Sequence, residues 1–142
     1  MDEIKQKQLV LIDFLRSYIN NTSWKVKAEF STNDNDVKVV IVQEQTGQKI
    51  VLFNGEKMYN YYQIQIYGES IQEQKELSLL LNDLIGTNNY VDKVNGNKRE
   101  KWQILIKQFS NFQPIEYLDI RRVGYTGIMV CIINKIYEEG IH

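Results

Sequence analysis

Among the side chains of this 142-residue sequence that could do chemistry, the sole cysteine and the sole histidine come first, Cys131 and His142. A thiol nucleophile needs a neighbouring base to take its proton. Cys131 lies inside the apolar run Ile128–Ile133 and His142 is the last residue of the sequence, so Cys131 reads as a small buried apolar side chain. One cysteine closes no internal disulfide, and one Cys with one His cannot by themselves build a structural zinc site. The run Ser31-Thr32-Asn33-Asp34-Asn35-Asp36 is rich in oxygen ligands and superficially resembles a calcium loop. An EF-hand loop would need an oxygen ligand where Lys38 stands, a glycine at Val39 and a glutamate at Gln45, so the run reads instead as a hairpin turn. The sequence has no Gly-rich phosphate loop, no nucleophile elbow, no carboxylate pair at telling spacing and no internal histidine to serve as a base near neutral pH. The expectation is a protein that is not an enzyme and uses no metal or cofactor.

Recognition chemistry is better represented. In the run Met58–Tyr67, Tyr59, Tyr61 and Tyr67 would share one strand face with Gln63 and Gln65, while Tyr62, Ile64 and Ile66 share the other. The first face is too aromatic for a solvated surface and too polar for a core. Tyrosine carries apolar area with a hydroxyl that can stay wet, which suits a subunit interface. Two plainer readings stand beside it: surface tyrosines of a monomer, or an aromatic sheet face that stacks bases of single-stranded nucleic acid. Base-stacking faces normally pair aromatics with Lys or Arg, and this strand has neither. A second cluster, Lys93, Lys98, Arg99 and Lys101, falls in or just after the Asn-rich segment Thr87–Arg99, diluted by Asp92 and Glu100. That segment has no apolar period and reads as a long exposed loop, either merely solvated or a partner-contact loop.

Composition sets the outer bounds. With 43% hydrophobic and 25% charged residues, the chain reads as one globular domain over residues 1–142. A net charge of -1 and a pI near 5.9 argue against bulk attraction to nucleic acid or an anionic membrane. The absence of a long apolar run and the alternating charges Asp2, Glu3, Lys5 and Lys7 predict neither a membrane span nor a signal peptide.

The elements follow from periodicity. A helix is expected from about Asp2 to Ile19, with Ile4, Leu11, Leu15 and Tyr18 on one side and Ile12 and Ile19 widening it. Trp24, Val26, Ala28 and Phe30 alternate with charged residues as a half-buried strand, followed by strands at Val37–Gln43, Lys49–Phe53 and Met58–Tyr67, the last entered through Asn54-Gly55. Ser70 and Glu73 form a capping box ahead of Leu77, Leu80, Leu81 and Leu84, so a helix should start at Ile71 and end near Gly86. Trp102, Ile104 and Ile106 predict another strand, broken at Asn111–Pro114, with Tyr117–Arg122 irregular. Tyr125–Tyr137, apolar on both faces, predicts a central strand. The expected fold class is α+β: a mostly antiparallel sheet of five to six strands with two helices packed on one face.

The run Tyr62-Gln63-Ile64-Gln65-Ile66-Tyr67-Gly68, followed by Glu69-Ser70 and a helix with Leu80 and Leu84, resembles the strand and helix signature of the tail terminator and tail completion proteins of long-tailed bacteriophages. No single residue in that motif is a chemical signature. The resemblance extends more weakly to the N-terminal helix and to Tyr125–Tyr137. It implies a structural neck protein of a phage or prophage, assembled in the host cytoplasm and located in the virion. Such a protein forms a homo-oligomeric ring, typically a hexamer, that caps the head-proximal end of the tail tube, ends its polymerisation and offers a surface for head docking. The implied partners are other copies of itself, the tail tube protein and a head connector or head completion protein. Membranes and sequence-specific nucleic acid binding are not implied. A head completion protein of the neck would look much the same, and a non-phage binding module with an aromatic sheet face is the further alternative.

Overall fold

A computed structural model describes residues 3–29, 38–44, 59–119 and 122–140. In chain order the elements are α1 (Glu3–Tyr18), β1 (Lys25–Lys27), β2 (Val39–Glu44), β3 (Asn60–Gly68), α2 (Ile71–Asn82), β4 (Asn88–Asn95), β5 (Lys98–Asp119) and β6 (Arg122–Gly140). The expected strand Lys49–Phe53, the Asn54-Gly55 turn, Phe30 and the polar run Ser31–Asp36 lie outside the described residues. No helix among the described residues is long and apolar enough to cross a membrane.

The strands form one six-stranded sheet in the order β1-β2-β3-β6-β5-β4, antiparallel throughout except for β1 and β2. The α+β class and the mostly antiparallel sheet of six strands are as expected, while the two helices do not form a clear layer on one face. The sheet curls into a half-barrel, and α1 touches β1 and β2 near one end and β4 at the other, while α2 packs on β3. Polar ties fix α1 in that trough. Gln8 Nε2 donates to the Val42 carbonyl at 2.7 Å, Arg16 Nε donates to the Val26 carbonyl at 2.9 Å, and Asp13 meets Lys93 at 2.7 Å.

One face of the sheet supplies the core: Val26, Val40, Val42, Tyr62, Ile64, Ile66, Trp102, Ile104, Ile106, Met129, Cys131 and Ile133 are all buried. Leu11, Ile12 and Leu15 of α1 and Leu77 and Leu81 of α2 join the same cluster. Each alternates or recurs with the period of its element, so burial follows from strand and helix geometry. Several apolar residues depart from the expected pattern. Ile4 is exposed, Tyr18, Trp24 and Ala28 are only partly buried at the margin of the core, and Leu80 is half-buried beside the buried Leu81.

The start of α2 is set locally. Ser70 Oγ accepts the Glu73 amide at 3.3 Å and donates to Glu73 Oε1 at 3.1 Å, and Lys38 of the β2 approach pairs with the same carboxylate at 2.5 Å. The Lys38 hydrogen bond is the main reason the Glu73 carboxyl is held below its ordinary value. Gly68 ends β3 where a Cβ would stand 2.9 Å from the Trp24 ring, so a side chain there would push Trp24 out. The helix closes earlier than Gly86, at Asn82 with Asp83 as its cap. Gly86 adopts φ +83° and its amide donates to the Ile106 carbonyl at 2.7 Å, leading the chain into β4.

Two expectations are corrected by the strand pairing. β1 and β2 run parallel, with Lys25 opposite Val39, where adjoining antiparallel strands were expected; the polar run Ser31–Asp36 between them lies outside the described residues. β5 does not end at Asn111–Pro114: it continues to Asp119, but its pairing with β6 shifts register between Ser110 and Gln113 and again between Ile115 and Asp119, where the break and the irregular segment were expected. Pro114 is opposite Tyr125 and lies beyond Ile106, the last β5 residue bonded towards β4 among the described residues. A proline without an N–H is tolerated at such an edge. β6 is central as expected, between β3 and β5, with Met129 to Ile133 buried on both faces.

Candidate functional site

The face of the sheet opposite the core carries some of the residues singled out for recognition: Tyr61, Tyr67, Arg99 and Lys101. Cross-strand register puts Tyr61 beside Val130, Val130 beside Gln108, Ile132 beside Leu105, Gln103 beside Asn134 and Tyr90, and Lys101 beside Tyr137 and Asp92. Residues paired in register share a face, so this outer face runs from β3 across β6 and β5 to β4.

The three expected interface tyrosines take different positions on it. Tyr67 is only 5% exposed and forms a small buried cluster with Val39 and Ile41 of β2, so its ring is spent within its own chain. Tyr61 is half-buried on β3, next to Gln63 and Gln65, whose amides bond each other at 3.3 Å. Tyr59 is half-buried just before the strand begins.

The segment Thr87–Arg99 is not a loop. Residues Asn88–Asn95 form β4 and hairpin onto β5, turning through Gly96 at φ +63°, with Asn95 opposite Lys98. Sequence reasoning missed this hairpin and, with it, Tyr90, Val94 and Tyr137 of the outer face. The signal was present: Gly96-Asn97 is a two-residue hairpin turn, and Tyr90, Asp92 and Val94 alternate with the inward Val91 and Lys93.

The hairpin also separates the four cations expected to act together. Lys93 points inward and pairs with Asp13 of α1 at 2.7 Å. Lys98 pairs with Glu138 at 2.8 Å. Arg99 and Lys101 stand on the outer face, where Lys101 Nζ lies 5.3 Å from the Tyr90 ring centroid. Asp92, Val94, Arg99, Lys101, Tyr137 and Glu139 line a shallow concavity of about 520 Å³ here, and the Tyr137 hydroxyl donates to Glu139.

Beneath this patch an ionic lattice holds β5 to β6. Glu100 is almost fully buried, accepts from Trp102 Nε1 at 3.4 Å and pairs with Lys135 at 3.2 Å, and Lys135 in turn bonds Glu138. Hydrogen bonds from Lys135 and then Lys98 hold the Glu138 carboxyl down at about 2, against an ordinary 4.5. A carboxyl with a depressed folded-state pKa contributes stability above its unfolded pKa and loses it as pH falls through the folded value. The pairing of β5 with β6 at this end should therefore loosen as pH drops from about 4.5 to about 2. Amide exchange in β5 and β6 measured across that window should rise with acidification, and Glu138→Gln should flatten the rise.

Cys131 is fully buried on the core face, where burial pushes its thiol well above the ordinary range. Burial does the same to the hydroxyl of Tyr62, with Cys131 and Glu44 adding smaller contributions. Neither group is placed as a nucleophile or base at neutral pH. Among the described residues no three His, Cys, Asp or Glu side chains are grouped to hold a metal ion. What the geometry offers is a broad, mixed apolar and charged recognition face. A scan against protein-family models finds no match for the chain, and no curated protein matches it.

Proposed function

We propose that this chain is a structural neck protein of a phage or prophage that assembles as a six-membered ring on the head-proximal end of the tail tube, stops tube growth and presents the surface on which the head docks. The observation that carries this reading is the outer sheet face, on which the half-buried Tyr61 and the half-exposed Tyr90 and Tyr137 lie across β3, β4 and β6 of one sheet. Tyrosine with arginine beside it is the composition of interface anchors. The resemblance carried by Tyr62–Gly68 and the helix after it supplies the identity of the partners. A head completion role in the same neck rests on the same observations and differs only in which partner is met first.

Polymerisation of the cognate tube protein, followed by light scattering, tests the proposal. Added protein should stop elongation at stoichiometric amounts of ring per tube end. Arg99→Glu combined with Lys101→Glu should leave folding intact and weaken joining to the tube or head connector, more so at low salt, because exposed charges of this kind steer encounter and fix register. Lys98→Glu should act instead by weakening the pairing of β5 with β6, since Lys98 is held by Glu138. Elongation at the parent rate with or without the protein would remove the capping role.

One observation favours a second reading. Tyr90 and Lys101 place an aromatic ring and a cation together, as single-strand nucleic acid binders do. Asp92 and Glu139 on the same face oppose a phosphate backbone. Titration with a fluorescent oligonucleotide separates the two readings, and micromolar, salt-sensitive binding would favour the second.

A further inference from the structure

β4 is the last strand of the sheet, and its far edge is open. The Ile106 amide donates to the Thr87 carbonyl at 3.1 Å, which sets the phase of the ladder. Bonded and non-bonded pairs alternate along an antiparallel pair, so Asn89, Val91, Lys93 and Asn95 turn their backbone groups to β5, while Asn88, Tyr90, Asp92 and Val94 turn theirs away. Among the described residues no strand pairs with that edge, and no backbone hydrogen bond reaches the four residues that face it. An edge strand is usually blunted by proline, lysine or a bulge. β4 has no proline and pairs with β5 without a shift of register, and its one lysine is drawn inward to Asp13 at 2.7 Å. The sheet's other edge differs: β1 is three residues long, and Arg16 occupies its Val26 carbonyl.

Two cavities lie along this edge, between β4 and α1. The larger, of about 610 Å³, is lined by residues 89–92 of β4 and by Asp13, Phe14 and Tyr18 of α1. The smaller, of about 120 Å³, is lined by residues 93–95 of β4, by Leu9 and Val10 of α1 and by Trp102. Successive strand residues point to opposite faces, so a cavity lined by four in a row lies beside the backbone itself. The larger cavity has two carboxylates in its walls, Asp13 and Asp92, and no cation. Asp13 is shared with Lys93, but Asp92 has no ion-pair partner among the described residues, because Lys101 opposite it rests over the Tyr90 ring.

We propose that the open edge of β4 binds an extended segment of a partner protein as a further antiparallel strand, with an aliphatic side chain in the smaller cavity and a basic one, four positions later, in the larger. Backbone donors and acceptors offered at every second residue, about 6.6 Å apart, are matched by an extended polypeptide. An antiparallel strand continues the pairing of β4 with β5. The side chains follow from the cavities: the smaller has room for one aliphatic group, and the unpaired Asp92 beside Asp13 selects a cation. Residues opposite Asn95 and Val91 share the face of those two, which is the α1 side, and they stand four positions apart. The edge can take such a strand whatever the outer sheet face meets, and the test contains no tail tube.

The probe is a fluorescein-labelled seven-residue peptide of threonines with leucine in first place and arginine in fifth, titrated with the full chain. Its anisotropy should rise to saturation. Methylating the peptide's fourth amide, which faces Asp92, should weaken binding about tenfold, whereas methylating the third, which faces away from β4, should change it by less than about twofold. Glutamate in place of the arginine should weaken binding about threefold at low salt, and Asp92→Lys should reverse that preference. Asp92 is exposed, so unchanged thermal unfolding of the variant verifies folding, and the methylated peptides test the edge without altering the protein. With the arginine peptide bound, the amides of Tyr90, Asp92 and Val94 should exchange with deuterium more slowly than in the free chain. Four results would each overturn the proposal: no saturable binding up to about 1 mM peptide, equal losses from the two methylations, a charge preference that ignores Asp92→Lys, or slow exchange of those three amides in the free chain, as a second copy on the edge would give.

Discussion

Trp102→Ala should cost about 3–5 kcal/mol of folding stability, among the largest losses available from one side chain of this protein. Trp102 is buried at 2% exposure among Ile104, Ile133 and the underside of α1, and its Nε1 donates to the nearly buried Glu100. Removing the ring opens a cavity in the core and also strips the Glu100 carboxylate of a donor and Lys135 of the ring beneath it. Trp102→Phe restores most of the apolar contact but not the N–H, so it should recover part of the loss. Chemical denaturation at neutral pH measures both, as a shift of midpoint at constant slope. If alanine at this position unfolds at the parent denaturant concentration, the distal sheet does not close the core.

In Leu81→Ala the loss should be about 2–5 kcal/mol, and in the adjacent Leu80→Ala clearly less. Leu81 is fully buried in the core cluster, whereas Leu80 is half-buried at its margin. The contact that Leu80 makes with α1 runs through its backbone, since the Tyr18 hydroxyl donates to the Leu80 carbonyl at 3.0 Å, and truncating the side chain leaves that bond in place. Equal effects of the two substitutions, read by the same unfolding experiment, would mean that α2 is rotated about its axis relative to this structure.

The contrast between those two leucines illustrates what was legible in the sequence. The strand and helix at Asn60–Asn82 could be read because every signal is local: alternation, Gly68, the Ser70 cap and a leucine period. Periodicity fixes a stripe only to within a residue on either side, so Leu80 and Leu81 could not be ranked until α2 was docked. The parallel pairing of β1 with β2 was not legible, because alternation says that a strand exists and nothing about its direction. Pro114 was read as a breaker because strand interiors exclude proline, and its place at an edge depends on where β4 ends. Tyr67 shows the limit of face assignments: it lies on the outer face as expected, yet Val39 and Ile41 of β2 pack beside it there. The β4 hairpin could have been found, since Gly96-Asn97 is itself a two-residue hairpin turn signal. Its strongly polar composition hid the alternation that ends in Tyr90 and Val94, and with it the end of the recognition face.

The most direct measurement of the central claim is averaged electron-microscope images of tail-tube ends assembled with this protein. A six-membered ring seated on one end of each tube, with Tyr61 and Tyr137 within its subunit or partner contacts, is the predicted result. Tubes with bare ends, or protein bound along their sides without a closed ring, would contradict it.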